Sequence, residues 1–316
     1  MRVLVAGATG VIGRQLVPLL VSVGHEVVGL ARSPRRIEPL REAGATVVYA
    51  DALDRAALLR EVDKARPDAV VHLLTAIPDE MNPRRLMRGF ALTNRLRTEG
   101  TRNLLDAAAN VGARRVVTQG VAFAYDPAGN GPANEDEPLW RNPPRAFAPV
   151  LDALRELERL TGDAGGLVLR FGHLYGPGST FAPDGSMIQQ VRQGKMPLVG
   201  AGDSVFSFTH AHDAATAIVA ALDRDVRGVL NVVDDDPTPI GTWLPELARM
   251  IGAPRPKSVP KAIARLAAGG WGVAYLSELR GADNARARLR LDWRPRYLSW
   301  RDGFAADLTG TVETSG

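Results

Sequence analysis

The sequence contains no cysteine, which excludes disulfides, thiolate nucleophiles and cysteine-bound metal together. No apolar run reaches about 18 residues, so no membrane span is expected. Lysine is scarce, occurring only at Lys64, Lys195, Lys257 and Lys261. Chemistry that needs a lysine therefore has few places to find one. The other basic residues are arginines, scattered along the chain and without interleaved aromatic residues. The net charge is only +4, so nucleic acid is not an expected partner. The start of the chain, Met1-Arg2-Val3-Leu4-Val5-Ala6-Gly7, lacks the long apolar stretch of a signal peptide and reads as a first strand. A cytoplasmic location is the simplest expectation.

What is present is ordinary for a globular protein: 45% hydrophobic and 23% charged residues in 316, enough for a large core and two domains. Short apolar runs at 2–6, 27–30, 46–49, 68–74, 116–118 and 166–170 predict strands. Between them, helix-spaced apolar residues predict helices over 11–23, 35–43, 54–63, 84–110 and 150–160. This alternation implies right-handed βαβ crossovers and a parallel sheet covered on both faces. Residues 125–149, rich in Pro, Gly, Asn and acids, read as a long functional loop. Short helices are expected near 186–194, 212–223, 241–251 and 260–268, and a frayed end over 309–316. The fold class expected is thus α/β, a doubly wound parallel sheet with a smaller C-terminal lobe. The boundaries expected are 1–170 for the sheet domain and 171–316 mainly for the lobe, with 205–235 returning to the sheet core.

Gly7-Ala8-Thr9-Gly10-Val11-Ile12-Gly13 lies between the first strand and the first helix. Glycines there permit a tight turn and let backbone N–H groups meet a pyrophosphate at a helix N-terminus. An acid at the end of the second strand would select NAD through the ribose hydroxyl. The chain has Ala31-Arg32-Ser33 instead, and Arg32 and Ser33, with help from Arg36, suit a 2′-phosphate. NADP is expected, with NAD as the alternative. Asp51 is placed to accept from the adenine amino group.

Several segments resemble the extended short-chain dehydrogenase/reductases, in their epimerase/dehydratase branch. They are Gly7–Gly13, Asp51, His72-Leu73-Leu74-Thr75, Asn94 with the segment Gly100–Leu105, Leu169–Gly178, Phe208–Asp213 and Gly228–Val233. The resemblance runs from residue 1 to about 305 and implies a Rossmann core with a substrate lobe. Ala52, Leu73, Leu74, Thr75, Asn94 and Gln119 are assigned with the glycine loop to the cofactor site.

That family usually works with a Ser or Thr, a Tyr, and a Lys four residues after the Tyr, the Lys lowering the Tyr pKa. No Tyr in this chain has such a Lys. The helix expected to carry the pair runs from Ala148 to Glu158. Aligning either Glu156 or Glu158 with the family glutamate leaves the Tyr and Lys positions unfilled. The hydroxyl position falls on Val121. His173 replaces a substrate-facing Asn, and no basic residue flanks Val205-Phe206-Ser207, so a nucleotide-sugar substrate is disfavoured. An imidazole can exchange a proton near neutrality, which makes His173 the first candidate for the missing proton donor and Tyr125 the second. Trp140, Phe147, Phe171, Phe181 and Met187 are candidates for an apolar pocket, each equally readable as core. His210, His212 and Asp213 read as structural, and no metal is expected.

These readings converge on an NADP-binding atypical oxidoreductase acting on a small apolar or aromatic metabolite, a monomer or homodimer without membrane or nucleic-acid partners. A non-redox lyase, isomerase or cyclase on the same fold, or a cofactor-sensing regulatory protein, are the alternatives.

Overall fold

The computed structural model describes residues 1–35, 37–78 and 86–309. Seven parallel strands form its central sheet: β1 (Arg2–Ala6), β2 (Glu26–Ala31), β3 (Thr46–Tyr49), β4 (Ala69–His72), β5 (Arg115–Val121), β6 (Leu167–Phe171) and β11 (Gly228–Val232). Their order is β11-β6-β5-β4-β1-β2-β3. The strand order therefore reverses between β1 and β4, and ligands of such sheets bind in the crevice beyond the carboxyl ends at that point.

The strands are apolar on both sides because both faces are covered. Val3 and Val5 of β1 enter one core with Ile12, Leu16 and Leu20 of α1 (Val11–Ser22) and with Ala214, Ala217 and Ile218 of α9 (Ala211–Asp223). Leu4 and Ala6, pointing the other way, join Leu58 and Val62 of α3 (Arg55–Ala65) and Leu104 and Ala107 of α6 (Thr101–Asn110). Asp54 caps α3, its carboxylate accepting from the Ala57 N–H at 3.0 Å. Such a cap satisfies one of the orphan amides at a helix start.

The spacing over 84–110 predicts one helix; the structure divides it. Among the described residues it runs as α4 (Leu86–Gly89), α5 (Ala91–Arg95), a π turn (Leu96–Gly100) and then α6. Residues 84 and 85 lie outside the described residues. The π turn widens the helix, and its freed carbonyls are taken by hydroxyls. Thr101 Oγ1 donates to the Arg97 carbonyl at 2.7 Å and Thr98 Oγ1 to the Asn94 carbonyl at 3.0 Å.

The helix predicted over 150–160 is longer, α7 (Ala148–Asp163). Beyond β6 the chain forms short strand pairs. β7 (His173–Tyr175) pairs with β10 (Phe208–His210), and β9 (Val205–Phe206) with β12 (Thr238–Pro239). Around them α8 (Ser186–Arg192), α10 (Ile240–Met250), α11 (Lys261–Ser277) and α13 (Trp300–Thr309) enclose a second core rich in aromatic residues. β8 (Leu198–Val199) and β13 (Ser258–Val259) make a further pair, and α12 (Ala285–Leu291) packs back against the sheet. The helices α12 and α13 have no counterpart among the sequence expectations. No described helix is long and apolar enough to cross a membrane.

Candidate functional site

At the end of β1 the chain turns at Gly7, whose φ of 94° is left-handed. A Cβ there would stand 2.8 Å from the Leu73 backbone, so the turn and the exit of β4 touch backbone to backbone. At Gly13 a Cβ would come within 2.3 Å of the Gly7 carbonyl, so only glycine lets α1 nest against the turn. Gly10 is the N-cap of α1; no side chain bonds to this helix start, and its first turn carries no acid. The amides there stay free for an anion, which the helix dipole favours. Thr9 and Val11 are half-buried around this turn, and Ile12 is buried beneath it. The cradle fits a dinucleotide pyrophosphate.

The remaining expected cofactor residues gather mostly along the same sheet edge. Arg32 and Ser33 are exposed just past β2, and Arg32 makes no ion pair among the described residues. Arg36 lies outside the described residues. The ends of β2 and β3 are tied by the Ala50 N–H donating to the Ala31 carbonyl at 3.1 Å. Asp51 follows, exposed, its Oδ1 accepting from the Leu53 N–H at 2.9 Å. Ala52 is buried, and its carbonyl accepts from Asn103 Nδ2 at 2.8 Å. Leu73 donates its N–H to the Ala6 carbonyl at 2.8 Å, and Leu74 donates to His72 Nδ1 at 3.2 Å. Thr75 is exposed beyond them. Asn94 is half-buried on α5, and Gln119 lies inside β5, short of its end.

The proton-transfer corner is apolar. Val121 at the end of β5 packs in one cluster with Val150, Leu151 and Leu154 of α7. Val150 and Leu154 have the spacing of the missing Tyr and Lys. Of the two glutamates considered for alignment, Glu158 is the buried one, paired with Arg170 of β6 at 2.7 Å. Glu156 faces out to Arg102 and Arg159.

Both candidate proton donors are held by the protein itself. The Tyr125 hydroxyl donates to Asn231 Oδ1 and accepts from Arg170 Nη1, each at 2.7 Å. Burial pushes its pKa up to about 12, against the pull of Arg170. His173 is 5% exposed and lies between two rings, Phe206 at 4.0 Å and Phe123 at 4.7 Å. Its Nδ1–H donates to the Ser207 carbonyl at 3.2 Å, and burial pushes its pKa down to about 3. At neutral pH the imidazole has no proton to give from Nε2. Tyr275 stands edge-on at 5.6 Å and Trp271 lies beyond it, which extends an aromatic wall from α11.

Trp140, Phe147 and Phe181 are buried in the aromatic core and Phe171 in the sheet core, with Met187 half-buried beside the former. A cavity of about 270 Å³ opens between Trp140, Pro143 and Pro144 of the long loop and Gly270, Val273 and Ala274 of α11. His210 caps α9 with its Nδ1, and the Asp213 carboxylate accepts from the Arg296 N–H at 2.7 Å. Both are occupied as structure.

Arg97 escaped the sequence reading. It lies on the π turn, is 4% exposed, and makes no ion pair among the described residues. The signal was available: Thr93, Leu96, Arg97, Gly100, Thr101 and Leu104 are all buried, so Arg97 is a charge on the inward stripe of a helix.

Residues 3–232 match the model of the NAD dependent epimerase/dehydratase family. The chain belongs to that family. It is accordingly an enzyme of NAD(P)-dependent oxidoreductase type on a Rossmann fold. Among its relatives, the 3-diazoavenalumate denitrifying reductase of a Streptomyces species is 48% identical over 315 residues, covering 97% of this chain and 100% of the relative. Among solved structures, UDP-glucose 4-epimerase of Thermotoga maritima with UDP-glucose superposes with a TM-score of 0.78 at 20% identity, covering 98% of each chain. UDP-glucose 4-epimerase of Thermus thermophilus with NAD gives 0.72 at 21% identity, again covering 98% of each chain. These two likenesses concern the fold.

Proposed function

We propose that the protein is an NADPH-dependent reductase that delivers hydride to an aromatic diazo compound in its diazonium form. The observation that carries this reading is the apolar corner of Val121, Val150 and Leu154, where the usual reaction would need a hydroxyl, a phenol and a lysine. A carbonyl reduced there would leave an alkoxide with no proton donor. An arenediazonium needs none. NADPH held at the turn from Gly7 to Gly13 would supply hydride: its electron pair would form the new aryl C–H bond while the aryl C–N bond breaks and N₂ leaves with that bonding pair. Arenediazonium and NADPH become arene, N₂ and NADP⁺, with charge balanced and no proton consumed. The Streptomyces relative, which covers 97% of this chain, is named for denitrifying reduction of a diazo compound, which supports the same chemistry here.

In this reading the turn from Gly7 to Gly13 holds the pyrophosphate, Arg32 and Ser33 hold the 2′-phosphate, and Asp51 and Ala52 face the adenine. Leu73, Leu74, Thr75, Asn94 and Gln119 lie along the rest of the cofactor. Phe123, His173, Phe206 and Tyr275 form the aromatic wall that excludes water from the reacting carbon. His173 and Tyr125 shape this site and transfer no proton.

The test is incubation of the protein with NADPH deuterated at C4 and a diazotised aminocinnamate. Expected are N₂ and NADP⁺ in equal amounts, with deuterium on the arene. Absence of NADPH oxidation with such substrates, alongside tight NADP binding, would refute the reading and point to a sensing role.

A further inference from the structure

Arg97 is the one arginine that the fold buries this deeply without a counter-ion among the described residues. Arg170 is paired with Glu158, and Arg280 with Glu137. The Arg97 Nη1 is buried with no hydrogen-bond partner among the described residues. Burial alone pushes its pKa down to about 10. Its charge also reaches His72 and adds to the burial that holds that imidazole neutral. Charges are not buried unpaired without reason, because desolvation is uncompensated until a partner arrives. Three residues earlier on the same face, Asn94 Oδ1 is also buried and without a partner among the described residues. Arg97 lies within a π turn and Asn94 just before it, and such helix defects recur at functional sites.

The position is set by neighbouring contacts. Thr101, one turn after Arg97, bonds through Oγ1 to His72 Nε2 at 2.9 Å, at the carboxyl end of β4. The helix that links β4 to its parallel neighbour β5 runs back along the sheet, so Arg97 lies further out than His72, beyond the strand end. The crevice where the strand order reverses, between β4 and β1, opens beyond that same end of β4. The π turn also packs against α7, which presents Val150 and Leu154 to the same corner.

We propose that Arg97 is an anion subsite that takes the carboxylate of an aromatic acid substrate. This deepens the reductase reading and rests on it for the identity of the crevice. The cofactor's phosphates have other partners: the open start of α1 for the pyrophosphate, and Arg32 for the 2′-phosphate. A single guanidinium fork matches one carboxylate, two N–H groups to two oxygens. The substrate is thereby anchored by its acid end, leaving its ring against Phe123, His173 and Phe206.

The experiment is calorimetric titration of the NADP⁺-loaded protein with trans-cinnamate and with its neutral isostere, cinnamamide. The wild type is expected to prefer the acid by about ten- to a hundred-fold. Arg97→Met, which keeps the length of the side chain, is expected to erase that preference and leave NADP⁺ affinity unchanged. It should also raise the melting temperature of the ligand-free protein, because an unpaired buried charge has gone. No preference for cinnamate in the wild type, or a preference that survives in Arg97→Met, would overturn the proposal. So would a parallel loss of NADP⁺ affinity, which would assign the charge to a cofactor phosphate, or a fall in melting temperature, which would make Arg97 structural. Binding needs no turnover. If cinnamate binds through Arg97 but no diazo compound is reduced, the subsite stands and the reductase reading fails.

Discussion

Arg170 and Glu158 meet fork to fork, Nε to Oε1 and Nη2 to Oε2, each at 2.7 Å, with the side chains 5% and 14% exposed. The remaining nitrogen, Nη1, donates to the Tyr125 hydroxyl. One guanidinium thus joins β6 and α7 and, through Tyr125 and Asn231, β11. The same contact sets how α7 is rotated, and so puts Val150 and Leu154 where they stand.

Breaking a buried pair costs more than the pair itself contributes, because the survivor stays charged and dry. Arg170→Met and Glu158→Gln should each destabilise the protein by about 3–5 kcal/mol. The double variant Arg170→Met with Glu158→Leu should recover much of that loss. Urea denaturation checks it. Single variants within about 1 kcal/mol of wild type would mean that water reaches the pair.

Tyr125→Phe tests a candidate proton donor. It removes the atom that links Arg170 Nη1 to Asn231 Oδ1, leaving both short of a partner. The expected cost is about 1–3 kcal/mol of stability with turnover retained. Loss of turnover in a variant that still melts cooperatively would make the hydroxyl catalytic.

The sheet was legible because its strands are short apolar runs bounded by turns, and β3 falls on Thr46–Tyr49 as expected. The glycine turn was legible because Gly7 and Gly10 stand between a strand and a helix, with Gly13 in the first turn of that helix. The broken helix before β5 was not. Its apolar periodicity is continuous, and nothing in that spacing marks the π turn over Leu96–Gly100. His173 illustrates a different limit. Its replacement of the family Asn can be read from the sequence, but its setting depends on Phe206, which is distant in the chain, and that setting moves the imidazole far from its ordinary pKa. α13 escaped although Trp300, Phe304 and Leu308 repeat at helical spacing on the aromatic core, and α12 is a seven-residue helix that buries only Ala287 and Leu291.

Arg32 is exposed past β2 with no ion-pair partner among the described residues, which leaves its guanidinium free for a phosphate. Arg32→Ala should weaken NADP binding about ten- to a hundred-fold and NAD binding much less, as expected for loss of a charge-assisted contact. Titration with both cofactors checks it. Equal losses would show that the side chain only stacks on adenine.

His173 carries the sharpest pH signature. Its folded value of about 3 lies below the unfolded value of about 6.5. Below pH 6.5 the unfolded chain therefore takes up a proton that the folded protein refuses until about pH 3. The stability that His173 allows is complete above pH 6.5 and is lost as pH falls through that window, at about 1.4 kcal/mol per pH unit. His72, pushed down to about 4 by burial, adds a second such term that a His173 variant leaves intact. His173→Phe fills the same slot between Phe123 and Phe206 without a titrating group. Between pH 6 and 4 its unfolding free energy should fall less steeply than wild type by about one proton's worth, read from urea melts at successive pH values. Turnover of the proposed reduction should survive, because the ring only packs there, whereas a general acid would cost roughly 100-fold or more on removal. An unchanged slope would mean that water already reaches the imidazole in the folded state, and a hundredfold drop in rate would restore it as the proton donor.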